Sequence, residues 1–260
     1  MTCLISPAGR DALAALAARR TLYAFDFDGT LAPIVAAPGR ARLPVAIADG
    51  LARLCRRVAV AIVSGRAAAD LRARLPCSPR YLVGNHGGEG LPGRDARSDE
   101  ECLAVSRAWV AALSPALRTL GPAHGLFVED KGLTLSLHYR QARDRGAALR
   151  AAQAAIAPLW PPPRVISGKC VLNLLPPGAP DKWEALSALA RLEGTESVLY
   201  LGDDDTDEHV FRRAPGHWVT VRIGHRPASA ARWFVRRQRD VPLLLEFLLE
   251  AVLLRQSMHN

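Results

Sequence analysis

Cysteine, aromatic residues, acidic charge and long apolar runs are all scarce in this chain, and each shortage excludes something. The 5 cysteines among 260 residues, Cys3, Cys55, Cys77, Cys102 and Cys170, show no paired spacing. That excludes a disulfide framework or a cysteine-built zinc site, and reads as reduced thiols in a cytoplasmic protein. Aromatics make up 6% and are not interleaved with a basic stripe, so nucleic acid is not an expected partner. No apolar run reaches the ~20 residues of a membrane span. The longest, Val241 to Leu254, is interrupted by Glu246 and Glu250, so no membrane partner is expected. The alanine-rich N-terminal stretch carries Arg10, Asp11, Arg19 and Arg20 and leads straight into a motif at Asp26; it does not read as a signal peptide. With 25 acidic against 34 basic residues the net charge is +9, and such a surface attracts anions, phosphorylated metabolites among them.

What remains is ordinary globular composition, 49% hydrophobic and 23% charged, in a chain long enough for one large domain or two small ones. Five short apolar runs read as buried strands of a parallel sheet: Leu22–Phe25, Val58–Val63, Tyr81–Val83, Val198–Leu201 and Trp218–Ile223. Each is too short for a helix and is bounded by Gly, Asp or Ser. Helical spacing between them, over Val45–Arg57, Ala67–Leu75 and Asp181–Leu192, predicts an open α/β sheet.

The middle of the chain has a different rhythm. Asp99–Leu120 and Ala142–Leu159 read as helices. Leu126–Glu129 and Leu133–Arg140 read as a hairpin turning at Asp130-Lys131-Gly132, and Val165–Leu175 as a further strand. In the second hairpin strand Leu133, Leu135, Leu137 and Tyr139 share one face, the period of an antiparallel sheet with one wet side. Residues 93–175 are therefore expected to form an α+β insert in a core made of residues 1–92 and 176–260.

Chemistry concentrates at two strand ends. Asp26 and Asp28 follow the first strand in Phe25-Asp26-Phe27-Asp28-Gly29-Thr30-Leu31. Asp203, Asp204, Asp205, Asp207 and Glu208 follow the fourth in Gly202-Asp203-Asp204-Asp205-Thr206-Asp207-Glu208. If those strands are neighbours, the clusters meet at a topological switch point. So many carboxylates would repel unless a cation neutralised them, and oxygen ligands beside phosphate chemistry suit Mg²⁺. Ser64, in Val63-Ser64-Gly65-Arg66, is expected to begin a helix and to suit a phosphate there. Lys182 begins a helix where a cation opposes the dipole, which a nearby anion would explain.

These four segments, in this order, resemble the motifs of haloacid-dehalogenase-like (HAD) phosphatases. Gly84-Asn85-His86-Gly87, Val128-Glu129-Asp130-Lys131-Gly132, Leu137-His138-Tyr139-Arg140 and Gly168-Lys169-Cys170-Val171-Leu172 further resemble the trehalose-6-phosphate phosphatase family. The resemblance implies a Rossmann-like parallel-sheet HAD core with an inserted α+β cap. It also implies a sugar phosphate substrate and a functional partnership with a trehalose-phosphate synthase. Asp26 would be the nucleophile, Asp28 the general acid and base, and Ser64 and Lys182 the holders of the phosphoryl oxygens. Asp26, the Asp28 main-chain carbonyl and Asp203 would bind Mg²⁺, with Asp204 as a water-mediated ligand and Asp207 positioning Lys182. Gly65, Arg66, His86, Glu129, Lys131, Lys169 and Asn173 would contact substrate, and His138 is a further candidate. Strand period would put Lys169, Val171 and Asn173 on one side. The chain departs from the family pattern at Asn173, where Glu is usual, at Leu175, near a usual basic residue, and at Trp183, where Gly usually follows the lysine. Alternatives from the same superfamily are phosphatases for glucosylglycerol phosphate or sucrose phosphate; a catalytically dead regulatory domain would not need the nucleophile.

Overall fold

A computed structural model describes residues 1–35 and 38–258. The chain divides into two units, Met1–Leu91 with Lys182–Asn260, and Pro92–Asp181.

The first unit is built on strands β1 (Thr2–Cys3), β2 (Thr21–Phe25), β3 (Val60–Val63), β4 (Tyr81–Val83), β9 (Ser197–Gly202), β10 (Val219–Ile223) and β11 (Trp233–Val235). All pairs are parallel, in the order β1-β11-β10-β9-β2-β3-β4. The chain runs outward through β3 and β4 on one side of β2, and through β10 and β11 on the far side of β9. β2 and β9 therefore flank the point where the winding reverses.

Both faces of this sheet are covered, which is why its strands read as continuous apolar runs rather than alternating ones. Tyr23, Phe25, Ile62, Leu199 and Leu201 pack against helices α1 (Pro7–Ala17), α2 (Val45–Cys55) and α8 (Val241–Met258). Leu22, Ala24, Val63, Val198 and Tyr200 pack against α6 (Lys182–Glu193) and α7 (Asp205–Arg213). The apolar run at Val241 is thus a core helix, and no helix among the described residues is long and apolar enough to cross a membrane. A short helix, α3 (Ala68–Arg72), lies between β3 and β4.

The second unit is a four-stranded antiparallel sheet, in the order β5-β6-β8-β7, with two helices. Its elements are α4 (Ala96–His124), β5 (Phe127–Asp130), β6 (Leu135–His138), α5 (Arg145–Ile156), β7 (Arg164–Gly168) and β8 (Val171–Leu175). Leu135, Leu137, Leu172 and Leu174 meet Trp109 and Leu113 of α4 and Ala148, Ala152 and Ile156 of α5. Asp95 and Asp144 cap the two helices by accepting from the Arg97 and Ala147 amides. The β5–β6 turn closes where the Gly132 amide donates to Asp130 Oδ1 at 2.8 Å.

Three expectations are corrected. The single strand expected over 165–175 is a hairpin, β7 and β8, reversing at Lys169-Cys170, where Cys170 takes a left-handed φ of 61°. Lys169 is therefore a turn residue and does not share a strand face with Asn173. The second unit extends to Asp181 rather than ending at Leu175, because Ala179 packs with Ile166 and Leu175, and Arg164 reaches the Ala179 carbonyl and Asp181. Ser64 does not begin a helix: α3 starts at Ala68 with Ala67 as its cap, and Ser64 directly follows β3 in the loop that leads to it.

Candidate active site

The adjacency of β2 and β9 decides the geometry. Phe25 pairs with Leu201, and the Asp26 amide donates to the Leu201 carbonyl at 2.9 Å. Asp26 and Asp203 thus leave the same sheet edge from adjacent strands. Asp26, Asp203 and Asp207 are buried, each with a carboxylate oxygen within 4.8 Å of the others. Two glycines make this approach possible. A Cβ on Gly29, which also has a φ of +82°, would lie 2.2 Å from Asp203 Oδ2, and one on Gly202 would lie 2.4 Å from Asp207 Cγ. Either side chain would force a carboxylate out of its position.

Lys182 is buried among these acids. Its Nζ donates to Asp26 Oδ1 at 2.8 Å and to Asp207 Oδ1 at 2.7 Å. The two carboxylates hold the ammonium well above its usual range although burial opposes them. The N-terminal position of Lys182 in α6, unfavourable to the helix dipole, is offset by these two anions.

Asp207 is a hub rather than an open ligand. Its Oδ1 also accepts from the Tyr200 hydroxyl at 2.6 Å, and its Oδ2 accepts from the Asp203 and Asp204 amides, both at 2.8 Å. Burial raises the carboxyl, but Lys182, Tyr200 and the Asp204 amide outweigh it and hold Asp207 below the usual range. Burial pushes Asp26 well above its usual range, with Asp207 and Asp203 adding to the rise and Lys182 opposing it. One lysine does not balance this acidic cluster, and a hard divalent cation with oxygen ligands fits the deficit. Because Asp207 is fully engaged, Asp26 and Asp203 are the carboxylates suited to it. The side chains of Asp28 and Asp204 lie outside the three-carboxylate group: Asp28 pairs with Arg66, and Asp204 caps α7 by accepting from the Asp205 amide at 2.7 Å.

Ser64, Gly65 and Arg66 form a loop zipped to its neighbour. The Asn85 amide donates to the Arg66 carbonyl at 2.8 Å and the His86 amide to the Ser64 carbonyl at 2.9 Å. Asn85 and His86 both adopt left-handed φ, 50° and 59°, a costly pair of conformations for residues other than glycine. His86 is buried and its ring covers Gly65, where a Cβ would lie 2.4 Å from it.

The model of the trehalose-phosphatase family matches residues 24–236, which include every residue of this cluster. The chain belongs to the trehalose-phosphatase family. The trehalose-phosphate phosphatase of Mycobacterium tuberculosis is 34% identical over 221 residues, covering 81% of this chain and 55% of that protein. The chain therefore spans about half the length of its mycobacterial relatives. The trehalose-6-phosphate phosphatase of Escherichia coli is 34% identical over 245 residues, covering 91% of this chain and 88% of that protein. Among solved structures, the C-terminal domain of the Candida albicans trehalose-6-phosphate phosphatase aligns with a TM-score of 0.75 at 22% identity, covering 93% of this chain and 96% of that one. At that identity the likeness speaks for the fold alone, a parallel α/β sheet unit carrying a second, α+β unit.

Further residues singled out in the sequence lie in the second unit. Glu129 Oε2 is 2.8 Å from His138 Nε2 and 3.7 Å from Lys131 Nζ, and the Phe127 ring stacks on His138 with centroids 4.5 Å apart. Asn173 is placed differently from the expectation. It is 3% exposed, its Oδ1 accepts from the Ser136 hydroxyl at 2.8 Å, and its Nδ2 donates to the Ile166 carbonyl at 3.2 Å. Its amide ties together three strands of the sheet.

Sequence reasoning missed Tyr200 and Arg222. Tyr200 was counted only as an apolar strand residue, yet its hydroxyl holds Asp207. Arg222 of β10 is buried and donates to the Asp203 carbonyl at 2.8 Å and to Glu208 Oε1 at 2.7 Å, fixing the acidic loop from below. An arginine inside the apolar run Val219–Ile223 was the available signal, since buried arginine needs partners.

Proposed function

We propose that this chain is a Mg²⁺-dependent phosphatase that hydrolyses trehalose 6-phosphate to trehalose and phosphate. The observation that carries the reading is the meeting of Asp26, Lys182 and Asp203 at the switch between β2 and β9. A regulatory or binding module has no use for a buried carboxylate held by a buried lysine at that edge.

In this reading Asp26 attacks phosphorus and displaces the sugar oxygen, forming an aspartyl phosphate. Asp28, two residues on, gives a proton to the leaving oxygen and then takes one from the water that hydrolyses the intermediate, a role typically worth ~10²–10⁴-fold. Lys182 and the Ser64 hydroxyl hold the phosphoryl oxygens as charge redistributes. Asp26, Asp203 and the Asp28 main-chain carbonyl would hold Mg²⁺, with Asp204 contributing through water. Bound there, the ion supplies charge stabilisation to the phosphoryl group. We assign substrate contacts to Gly65, Arg66 and His86 at the phosphoryl loop, and to Glu129, Lys131 and Lys169 for the sugar. Lysine occurs in this arginine-rich chain only at 131, 169 and 182, and all three belong to the assignment.

The test is a phosphate-release screen over trehalose 6-phosphate, glucosylglycerol phosphate, sucrose 6-phosphate and monosaccharide phosphates, with and without a chelator. Trehalose 6-phosphate should give the highest kcat/KM, and the chelator should abolish release. A higher kcat/KM for another glycosyl phosphate overturns the substrate assignment. Undiminished turnover in the chelator removes the metal from the mechanism.

A further inference from the structure

Outside the acidic site, one pair of reactive side chains is brought together by the fold. Cys55 closes α2, and Cys77 lies in the Pro-rich connection between α3 and β4. They are 22 positions apart, and their sulfurs lie 3.1 Å from each other as free thiols. About 1 Å of approach separates them from the ~2.05 Å of a disulfide. Both are half-buried and pack against the core of the first unit. They are neither sealed from solvent nor loose on the surface.

We propose that Cys55 and Cys77 form a reversible oxidation site that closes to an intramolecular disulfide by exchange with a small-molecule disulfide such as oxidised glutathione.

The two thiols are not equivalent. The hydrogen bond between the two sulfurs holds the Cys77 thiol below its usual range; burial opposes this, and the charge of Arg56 adds to it. The same hydrogen bond, together with burial, pushes Cys55 up. Cys77 is therefore the attacking thiolate and Cys55 the resolving thiol, since the thiolate is the nucleophile. In the first step Cys77 Sγ⁻ attacks one sulfur of the oxidised glutathione, forming a mixed disulfide and releasing one glutathione thiolate. In the second, Cys55 attacks Cys77 Sγ, forms the Cys55–Cys77 bond and expels the second glutathione, which takes the Cys55 proton. Two protein thiols are oxidised and one small-molecule disulfide is reduced. The closed loop would enclose β3 and the Ser64-Gly65-Arg66 turn. Cys3, Cys102 and Cys170 have no such partner role.

The experiment uses the full chain and oxidised glutathione itself, quenched in acid, alkylated and mapped by mass spectrometry without reduction. The expected product is a Cys55–Cys77 linkage, reversed by dithiothreitol, with Cys3, Cys102 and Cys170 alkylated. Cys55→Ser should stop at a stable glutathione adduct on Cys77. Cys77→Ser should slow the loss of the Cys55 thiol by about tenfold or more. Cys170→Ser should leave the linkage unchanged. The proposal fails if Cys55 and Cys77 remain alkylated while another cysteine carries glutathione, or if linkages scatter among the cysteines.

Discussion

Arg66 grips Asp28 through both carboxylate oxygens, Nε to Oδ2 at 2.5 Å and Nη2 to Oδ1 at 2.7 Å. Its remaining edge is also fixed. Nη1 donates to Asp70 Oδ2 at 2.8 Å, and Asp70 in turn accepts from Arg74 at 2.9 and 2.6 Å. The proposed acid and base is thus held in one orientation by a planar fork that is itself held. Lysine cannot reproduce a fork. Arg66→Lys is expected to lower kcat by about 10- to 10²-fold, the scale of losing a productive orientation, with the fold retained. Steady-state kinetics and a thermal melt check this, and unchanged kcat in a folded Arg66→Lys enzyme removes the fork from catalysis.

The two glycines beside the acids give a second prediction. Gly29→Ala places a Cβ 2.2 Å from Asp203 Oδ2 at a φ of +82°, and Gly202→Ala places one 2.4 Å from Asp207 Cγ. Each is expected to remove more than ~10²-fold of turnover, because displaced carboxylates no longer present the same cluster. Isothermal titration with Mg²⁺ should show the weakening directly. Wild-type Mg²⁺ affinity in Gly29→Ala would mean that Asp203 moves without cost.

Much of this site was legible because its chemistry is local in sequence. The carboxylates sit within two short motifs at the ends of runs that read as buried strands; that those two strands are neighbours was a condition of the sequence reading, and the observed order β9-β2 meets it. What was not legible depends on side chains meeting across strands. Tyr200 looks like any buried aromatic until Asp207 folds back onto it. The hairpin at Lys169-Cys170 was hidden because no glycine marks its left-handed position; Cys170 occupies it. Asn173 matched a motif by spacing alone, and spacing does not reveal whether a polar side chain is used inside the sheet. The short β1 and β11 carry too few residues to show a period.

Lys182 yields a third prediction. It is 4% exposed between Asp26 and Asp207. Lys182→Met should abolish turnover and also destabilise the protein, because breaking a buried pair leaves uncompensated charge, at a cost of ~3–5 kcal/mol. Saturating Mg²⁺ should restore part of that loss by supplying positive charge to the remaining acids. Urea unfolding with and without Mg²⁺ measures both effects, and a variant as stable as the wild type in chelator would contradict the charge balance described here.

Asp70 supplies a pH-dependent prediction. The hydrogen bond from Arg74 lowers its carboxyl below the usual range, burial opposes this, and Arg66 adds to the lowering. A depressed folded-state value means the stabilisation is present above the unfolded value near ~4 and is lost as pH falls through the folded value. The side chain is 38% exposed, so solvent screening limits the contribution to about 0.5–1 kcal/mol. Asp70→Asn should therefore be less stable than wild type at neutral pH, and the gap should narrow in acid. A gap of constant size down to about pH 3 would assign the loss to packing instead.

Asn173 separates two readings of one position. The motif resemblance implies a sugar contact at this position, with glutamate as the usual residue. By geometry it is a buried cross-strand tie, accepting from Ser136 Oγ and donating to the Ile166 carbonyl. Asn173→Ala would leave a buried hydroxyl and a buried carbonyl each short of a partner, at ~1–3 kcal/mol. The expected result is a lower melting temperature, with kcat/KM for trehalose 6-phosphate recovering toward wild type at temperatures where the variant is fully folded. Asn173→Glu discriminates further. A glutamate has no amide hydrogen for the Ile166 carbonyl, and it brings a charge into a buried sheet position. If the geometry governs, Asn173→Glu is less stable than Asn173→Ala and no better as an enzyme. If Asn173→Glu instead keeps its stability and raises kcat/KM for the disaccharide phosphate, the position reads sugar. The tie to Ser136 would then be one that the side chain gives up when substrate binds.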